Sequence, residues 1–335
     1  MILLLLLLVS QSSCLTSSLK QHLTLHKDEL KIKRFGQNII LSVDLFNRTF
    51  VASLSPYREI FHKQFSVVGV DTAQSWHVDY NINDHYEGAI ENEPASLVRI
   101  HLHEGVITGT IILEGETIFI EPSWRHIKEQ HGYHMIVYKM SDLLYNFGSR
   151  EQPGHFCGHN HSSEVKPTVE SPYDFDFKIL HTDVQNKSSS RFKRSKSKKD
   201  TCGIILVADY KFYREVCQGS ETITTSFLIT LFDRVNRIFK KTYFASTDDP
   251  DYMGYGMNVK KVLIHTARDT TTSHYNYSPK DPKEGKDWDV SELLDTFGSG
   301  AKTDAWSSYC LAHLFTNIDF DNGVLGLAYV ASPIR

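Results

Sequence analysis

The chain has 335 residues, of which 41% are hydrophobic, 12% aromatic and 23% charged. At roughly 150 residues per domain this length fits about two domains, each with its own core, which excludes a disulfide-stapled miniprotein and wholesale disorder. Lys+Arg 36 against Asp+Glu 40 leaves a net charge of -4, so no global basic field draws the chain to nucleic acid or to an anionic membrane.

The apolar run Ile2 to Val9 and the small polar residues Ser10 to Ser13 read as a secretory signal peptide, assigned to residues 1–18. No other apolar segment approaches the ~18 residues that cross a bilayer, so no transmembrane segment is expected in this chain. The expected localisation is the secretory pathway, secreted or lumenal. Asn-x-Ser/Thr sequons at Asn47, Asn160, Asn186 and Asn276 are candidate glycosylation sites consistent with that route. Cys14 lies in or beside the signal, which leaves Cys157, Cys202, Cys217 and Cys310 for an oxidising compartment, with pairings that spacing alone does not fix.

From about Leu41 to Tyr138 short β-rich runs alternate with polar turns: Phe65 to Val70, Leu97 to Leu102, Val106 to Leu113, Thr117 to Ile120 and His134 to Tyr138, with turn signals at Glu104-Gly105 and Glu114-Gly115. This predicts an antiparallel β domain without a long helix. His159 to Asp200 is rich in Ser, Lys, Pro and Asp and reads as a linker, residues 159–200. Within it lies a basic run without acids, made of Lys187, Arg191, Lys193, Arg194, Lys196, Lys198 and Lys199. Such a run is a solvated patch, a nuclear-localisation or heparin-type segment, or, in a secretory chain, a convertase site. Arg191-Phe192-Lys193-Arg194 before Ser195 has the spacing that a furin-like convertase reads, and a weaker relative is Lys31 to Arg34.

Beyond the linker the period changes. Cys202 to Ala208 predicts a buried strand, and Ile223, Phe227, Leu228, Leu231, Val235, Ile238 and Phe239 mark one long amphipathic helix. Strands are expected at Met257 to Ile264, Cys310 to Thr316 and Val324 to Val330, with a short helix over Val290 to Phe297 whose start carries Asp289 and Glu292. This order predicts an α/β domain.

The strand Cys202 to Asp209 with Phe212-Tyr213, the helix containing Leu231-Phe232-Asp233-Arg234-Val235, and the segment Cys310 to Thr316 followed by Asp319 to Val330 together resemble the catalytic domain of the ADAM (adamalysin-type) zinc endopeptidases. The resemblance is strongest to the tumour-necrosis-factor-α-converting-enzyme branch, then to the alpha-secretase type. Ile120 to Arg125, Met135 to Lys139 and Phe156-Cys157-Gly158 resemble that branch's prodomain. The implied fold class is a β-rich prodomain, residues 19–158, followed by a truncated α/β metzincin-type domain, residues 201–335.

The resemblance implies a zinc-dependent endopeptidase acting on peptide or membrane-protein substrates, with a helix bearing His-Glu-x-x-His-x-x-Gly-x-x-His. Two His one helical turn apart would bind Zn2+ while the Glu deprotonates water. These 335 residues hold only His103-Glu104, followed by Gly105-Val106-Ile107 in a β pattern, so this chain is expected to bind no Zn2+ tightly and to be inactive as given, either a truncated isoform or an incomplete gene product. His22 and His26 lack the intervening Glu and read as coil or solvent-exposed helix.

By the same resemblance Cys157 is a cysteine switch, an inhibitory zinc ligand in the complete zymogen, while His155, His159 and His161 around it read as a His-rich linker. Cys202 and Cys310 match a family disulfide. Gly323, Val324, Leu325, Gly326, Leu327 and Ala328 match the edge strand that pairs with substrate, and Cys217 has no counterpart. Two functions follow: the zymogen portion of a metalloendopeptidase of the ectodomain-shedding type, or a secreted non-catalytic prodomain-type inhibitor of a full-length protease.

Overall fold

The computed structural model describes residues 19–127, 132, 134–144, 201–242, 254–278, 288–300, 306–318, 320, 324 and 326–329. The signal segment, Cys157 with its histidines, the linker and its convertase site, Asn160, Asn186, Gly323 and Leu325 lie outside them.

Two sheets organise the chain. In the N-terminal region the strands are β1 (Leu23–Leu25), β2 (Lys31–Phe35), β3 (Asn38–Leu45), β4 (Arg48–Pro56), β5 (Phe61–Val70), β6 (Ser75–His77), β7 (His85–Ile90), β8 (Glu93–His103), β9 (Val106–Leu113), β10 (Glu116–Pro122) and β11 (Met135–Lys139). Nine of them form one antiparallel sheet in the order β1-β11-β10-β9-β8-β7-β4-β3-β2. Ile39, Leu41, Val43 and Leu45 alternate along β3 and bury one face with Leu54, Ile100, Ile111, Ile120 and Val137, as the two-residue period of a strand requires. Glu104 (φ 50) and Gly105 (φ 82) both take left-handed backbone, the tight hairpin turn whose twist matches its strands. His103-Glu104 is therefore a strand end and a turn, not a helix. Lys31 to Arg34 lies in β2, paired along its length with β3.

The second sheet corrects the expectation that every N-terminal strand belongs to one β domain. It contains β12 (Cys202–Ala208), β13 (Met257–His265) and β14 (Leu311–Phe315) together with the N-terminal hairpin β5–β6, in the order β14-β12-β13-β5-β6. β5 runs parallel to β13, with Val67 opposite Val262 and Val68 opposite Leu263. Residues 61–77 are thus a structural part of the C-terminal α/β unit. Gly69 makes the fit possible: a Cβ there would lie 2.5 Å from the Trp76 ring and 2.6 Å from Glu221 Oε1, where Trp76 Nε1 donates to that carboxylate at 2.8 Å.

Successive residues of β12 face opposite sides. Ile204, Leu206 and Ala208 pack with Leu228, Ile229 and Phe232 of helix α1 (Glu221–Lys241), whereas Ile205 and Val207 pack with Trp288, Leu293 and Phe297 at helix α2 (Val290–Gly300). A strand buried on both faces reads as a continuous apolar run, which is why Cys202 to Ala208 is so legible. Ser220 caps α1 by accepting from Ile223 N at 3.3 Å, and Asp289 accepts from Ser291 N and Glu292 N at 2.9 and 3.1 Å at the start of α2.

Helix α1 also meets the nine-stranded sheet, so it lies between the two sheets. Asp233 accepts from Arg99 Nη1 at 2.8 Å and from the Tyr57 hydroxyl at 3.0 Å, and the Arg99 guanidinium lies 4.4 Å from the Tyr57 ring centroid. Arg234 lies over Phe119, and Arg125 over Phe227 at 4.2 Å. These contacts explain why Asp233 is buried on the helix; Asn236 is buried on its other flank, where its Oδ1 accepts from Met257 N of β13 at 2.7 Å.

Candidate functional site

Strand β14, helix α2 and residues 326–329 converge on one region. Cys202 and Cys310 are joined by a disulfide with a Cα–Cα distance of 5.6 Å and a sequence separation of 108 residues, tying the start of β12 to the residue before β14. Closing so long a loop restricts the unfolded chain, typically by about 2–5 kcal/mol. The double substitution Cys202→Ala/Cys310→Ala is therefore expected to lower the unfolding free energy by that amount, and denaturant titration with and without reductant measures it.

Beside β14 lies a cavity of about 390 Å³ whose wall includes Leu293, Phe297, Trp306, His313, Leu327 and Tyr329. It is mainly apolar. His313 is buried and stacked on Phe315 with ring centroids 4.3 Å apart, and burial pushes its imidazole down to about 3. Among its described residues the expected strand Val324 to Val330 is not seen: residues 324 and 326–329 are irregular, and the Tyr329 hydroxyl donates to Asp295 Oδ1 of α2 at 2.6 Å. Side-chain contact with the helix replaces ladder pairing there. β14 remains the outermost strand of the described sheet.

The polar groups near these strand ends bond within the chain. Asp209, at the end of β12, accepts from Phe212 N at 2.7 Å, and burial pushes its carboxyl up to about 6. His265, at the end of β13, shares a 2.9 Å bond with the Tyr275 hydroxyl, and burial pushes it down to about 4. Tyr275 is stacked on His274, which lies 3.5 Å from Asp269. Sequence reading missed this group because its members are spread along a loop without period.

Asn276 lies in the same loop and is buried, with Oδ1 accepting from Tyr210 N at 2.7 Å and Nδ2 donating to Ala267 O at 2.9 Å. Both polar atoms of the Asn276 sequon are thus engaged inside the folded loop. Asn47 is exposed in the β3–β4 turn with φ 61. Cys217 is a free, fully buried thiol, pushed up to about 11 by burial, and so a poor metal ligand or nucleophile.

These residues do not fit a catalytic zinc. Among the described residues no group of three or more His, Cys, Asp or Glu is placed to hold a metal ion, His103-Glu104 sits in a hairpin, and His313 stands alone in an apolar wall. Nor is any helix among the described residues long and apolar enough to cross a membrane.

Residues 198–334 match the family model of the M12 metallopeptidases (Reprolysin_5). The chain is related over some nine tenths of its length to the disintegrin and metalloproteinase (ADAM) proteins. It is 26% identical over 311 residues to the disintegrin and metalloproteinase domain-containing protein 17 homolog of Caenorhabditis elegans, covering 90% of this chain and 42% of that protein. It is 24% identical over 319 residues to protein 10 of that series from Xenopus laevis and 24% identical over 318 residues to the human one, in both cases over 92% of this chain and 40% of the relative. The chain therefore spans about two fifths of the length of these relatives.

Proposed function

We propose that this chain is the zymogen portion of a zinc-dependent metalloendopeptidase of the ADAM type, comprising a β-rich pro-region, a linker cut by a furin-like convertase, and the amino-terminal part of the catalytic domain. The observation that carries the reading is the hairpin β5–β6. A pro-region that lends two strands to the M12 sheet and covers α1 is bound to the domain by main-chain pairing as well as by side chains. The relatives share both halves in the same order.

In this reading the Cys157 thiolate is the inhibitory ligand for the metal of a complete enzyme. Residues 323–328 lie beside the substrate, and the substrates are peptides or membrane proteins. The 335 residues themselves contain no His-Glu-x-x-His helix, so the chain as given is a non-catalytic precursor portion. Convertase is expected to cut after Arg194, and Arg194→Ala to abolish that cut. Mass spectrometry of the protein secreted from convertase-competent cells checks this, and recovery of only uncut wild-type chain would contradict it. Metal analysis and a peptide-cleavage assay on the same material complete the test, with less than 0.1 zinc per chain and no chelator-sensitive cleavage as the expected outcome (on the order of a tenfold margin below a stoichiometric structural or catalytic site). If the purified chain instead inhibits a full-length relative when added in trans, the regulator reading takes precedence.

A further inference from the structure

We propose that His85 and His101, packed with Tyr80 and Phe61 at the root of the β5–β6 hairpin, form an acid-sensitive latch that holds the hairpin in place at the joint between the second sheet and the nine-stranded sheet. The inference concerns the joint between the two sheets and goes beyond the zymogen reading, since the latch would operate in any chain with this joint.

The geometry is that of a clasp. His85 on β7 and His101 on β8 are direct cross-strand partners, with ring centroids 4.6 Å apart, and both are buried at about 5% exposure or less. The hairpin reaches them from both of its ends. Phe61, the first residue of β5, sets its ring edge-on to His85 at 5.1 Å, and Tyr80, just after β6, lies nearly parallel to His101 at 6.0 Å. The Tyr80 hydroxyl and His85 Nε2 are 2.6 Å apart. Backbone bonds fix the same corner, Tyr57 N to His85 O at 2.8 Å and Val78 N to Val67 O at 2.9 Å.

The surroundings suit neutral imidazoles and oppose charged ones. With Nε2 bare, His85 accepts from the Tyr80 hydroxyl; with a proton on Nε2 it donates to that same oxygen, so what opposes the charged ring is its burial rather than this bond. His101 has His103 stacked on its other side at 5.9 Å and feels the positive charge of Arg125. β9 offers only the hydroxyls of Thr108 and Thr110 to the small cavity beside the pair, and α1 offers Asp233 and Arg234. Asp233 is already engaged by Arg99 and Tyr57. Asp84, following the hairpin, acts on Tyr80 and His103 and is itself influenced by Arg34. Burial accordingly holds His85 well below the usual imidazole value and His101 down to about 3.

The sign follows from proton counting. The closed latch binds fewer protons than the open one, so closure is complete above the ordinary histidine value of about 6.5 and weakens as pH falls below it. Between pH 7.5 and 5.5 each imidazole shifts the opening equilibrium by about tenfold, and the two together by about a hundredfold. A compartment of the secretory route at the lower pH would loosen the hairpin while the apolar core of the nine-stranded sheet stays intact.

Amide hydrogen exchange on the full chain at pH 7.5 and 5.5, corrected for the intrinsic exchange rate, reads this directly. Protection of the β5 amides at Val67 to Val70 is expected to fall about a hundredfold in the wild type, about tenfold in His101→Phe, which keeps a ring against Tyr80, and hardly at all in His85→Gln/His101→Phe. Amides of β10 and β12 should keep their protection. Unchanged β5 protection in the wild type would overturn the proposal, as would an equal loss in β12, which would mean global unfolding. Should the double variant not fold, histidine-resolved NMR titration of the wild type decides: the two imidazoles must remain neutral in the closed chain at pH 5.5, and titration of either near 6.5 without any opening overturns the latch.

Discussion

Residues 201–335 expressed alone are expected to give no cooperatively folded domain, and residues 19–144 supplied with them to restore one. In the full chain β13 is paired on one side by β12 and on the other by β5, and Val259, Val262 and Ile264 share a core with Ile60, Phe61 and Val67. Without the N-terminal residues the β13 edge loses its ladder partner, and α1 loses the cover that buries Asp233 and holds the Arg99 contact. At roughly 25 cal/mol per Å², every 200 Å² of apolar surface uncovered costs about 5 kcal/mol, against a whole-domain stability of ~5–15 kcal/mol. The disulfide offsets about 2–4 kcal/mol of this. Residues 19–144 alone should keep the nine-stranded sheet, whose core is its own, but leave the hairpin without its partner. Calorimetry of each piece and of their mixture checks both statements. A sharp, independent melt of 201–335 would show that three strands and two helices suffice.

Asp233→Ala is expected to destabilise the full chain by about 3–5 kcal/mol, the cost of removing one partner from a buried ion pair. Arg99 donates to both carboxylate oxygens of Asp233 and through Nε to Glu87 Oε2 at 2.6 Å, with its side chain only 17% exposed. These anions hold the guanidinium firmly in its charged form, and burial next to Asp233 pushes the Tyr57 hydroxyl up. Because the charge on Arg99 cannot be shed, it is left to Glu87 once Asp233 is gone, and the buried Tyr57 hydroxyl loses its acceptor as well. The double variant Arg99→Met/Asp233→Leu should recover most of the loss, since a packed apolar pair of similar volume removes the buried charge along with its partner. Urea denaturation measures both. A loss below about 0.5 kcal/mol for Asp233→Ala, the size of an exposed pair, would mean that water screens the interaction.

What the sequence makes legible is what local period encodes. Cys202 to Ala208 is apolar on both faces and can only be an internal strand; the seven apolar positions from Ile223 to Phe239 can only be one helix face; the alternation along the N-terminal strands sets their facing. What period cannot encode is the partner. Phe65 to Val70 reads as a strand wherever it pairs, and its actual neighbour lies 195 residues further along (Val67 opposite Val262), reached in parallel register. For the same reason Thr224, Asp233 and Asn236 look like solvent positions. Their burial is imposed by a second sheet and by bonds such as Met257 N to Asn236 Oδ1 at 2.7 Å.

The candidate site is less legible than the fold. The pairing of Cys202 with Cys310 came from resemblance, since four cysteines allow several pairings and spacing selects none of them. The Asn276 sequon carries no information about burial, and residues 324 and 326–329 have strand-forming composition yet are irregular, with Tyr329 bonded to Asp295 of α2. His85 and His101 are 16 positions apart in a chain with 17 His, and only the β7–β8 register makes them neighbours.

The shared sheet is tested most directly by backbone NMR of the deuterated full chain. Interstrand contacts between Val67 to Val70 and Val262 to His265 in parallel register are the expected result. Contacts of Val67 to Val70 with a strand of the nine-stranded sheet, and none with β13, would contradict a hairpin that belongs to the metallopeptidase unit.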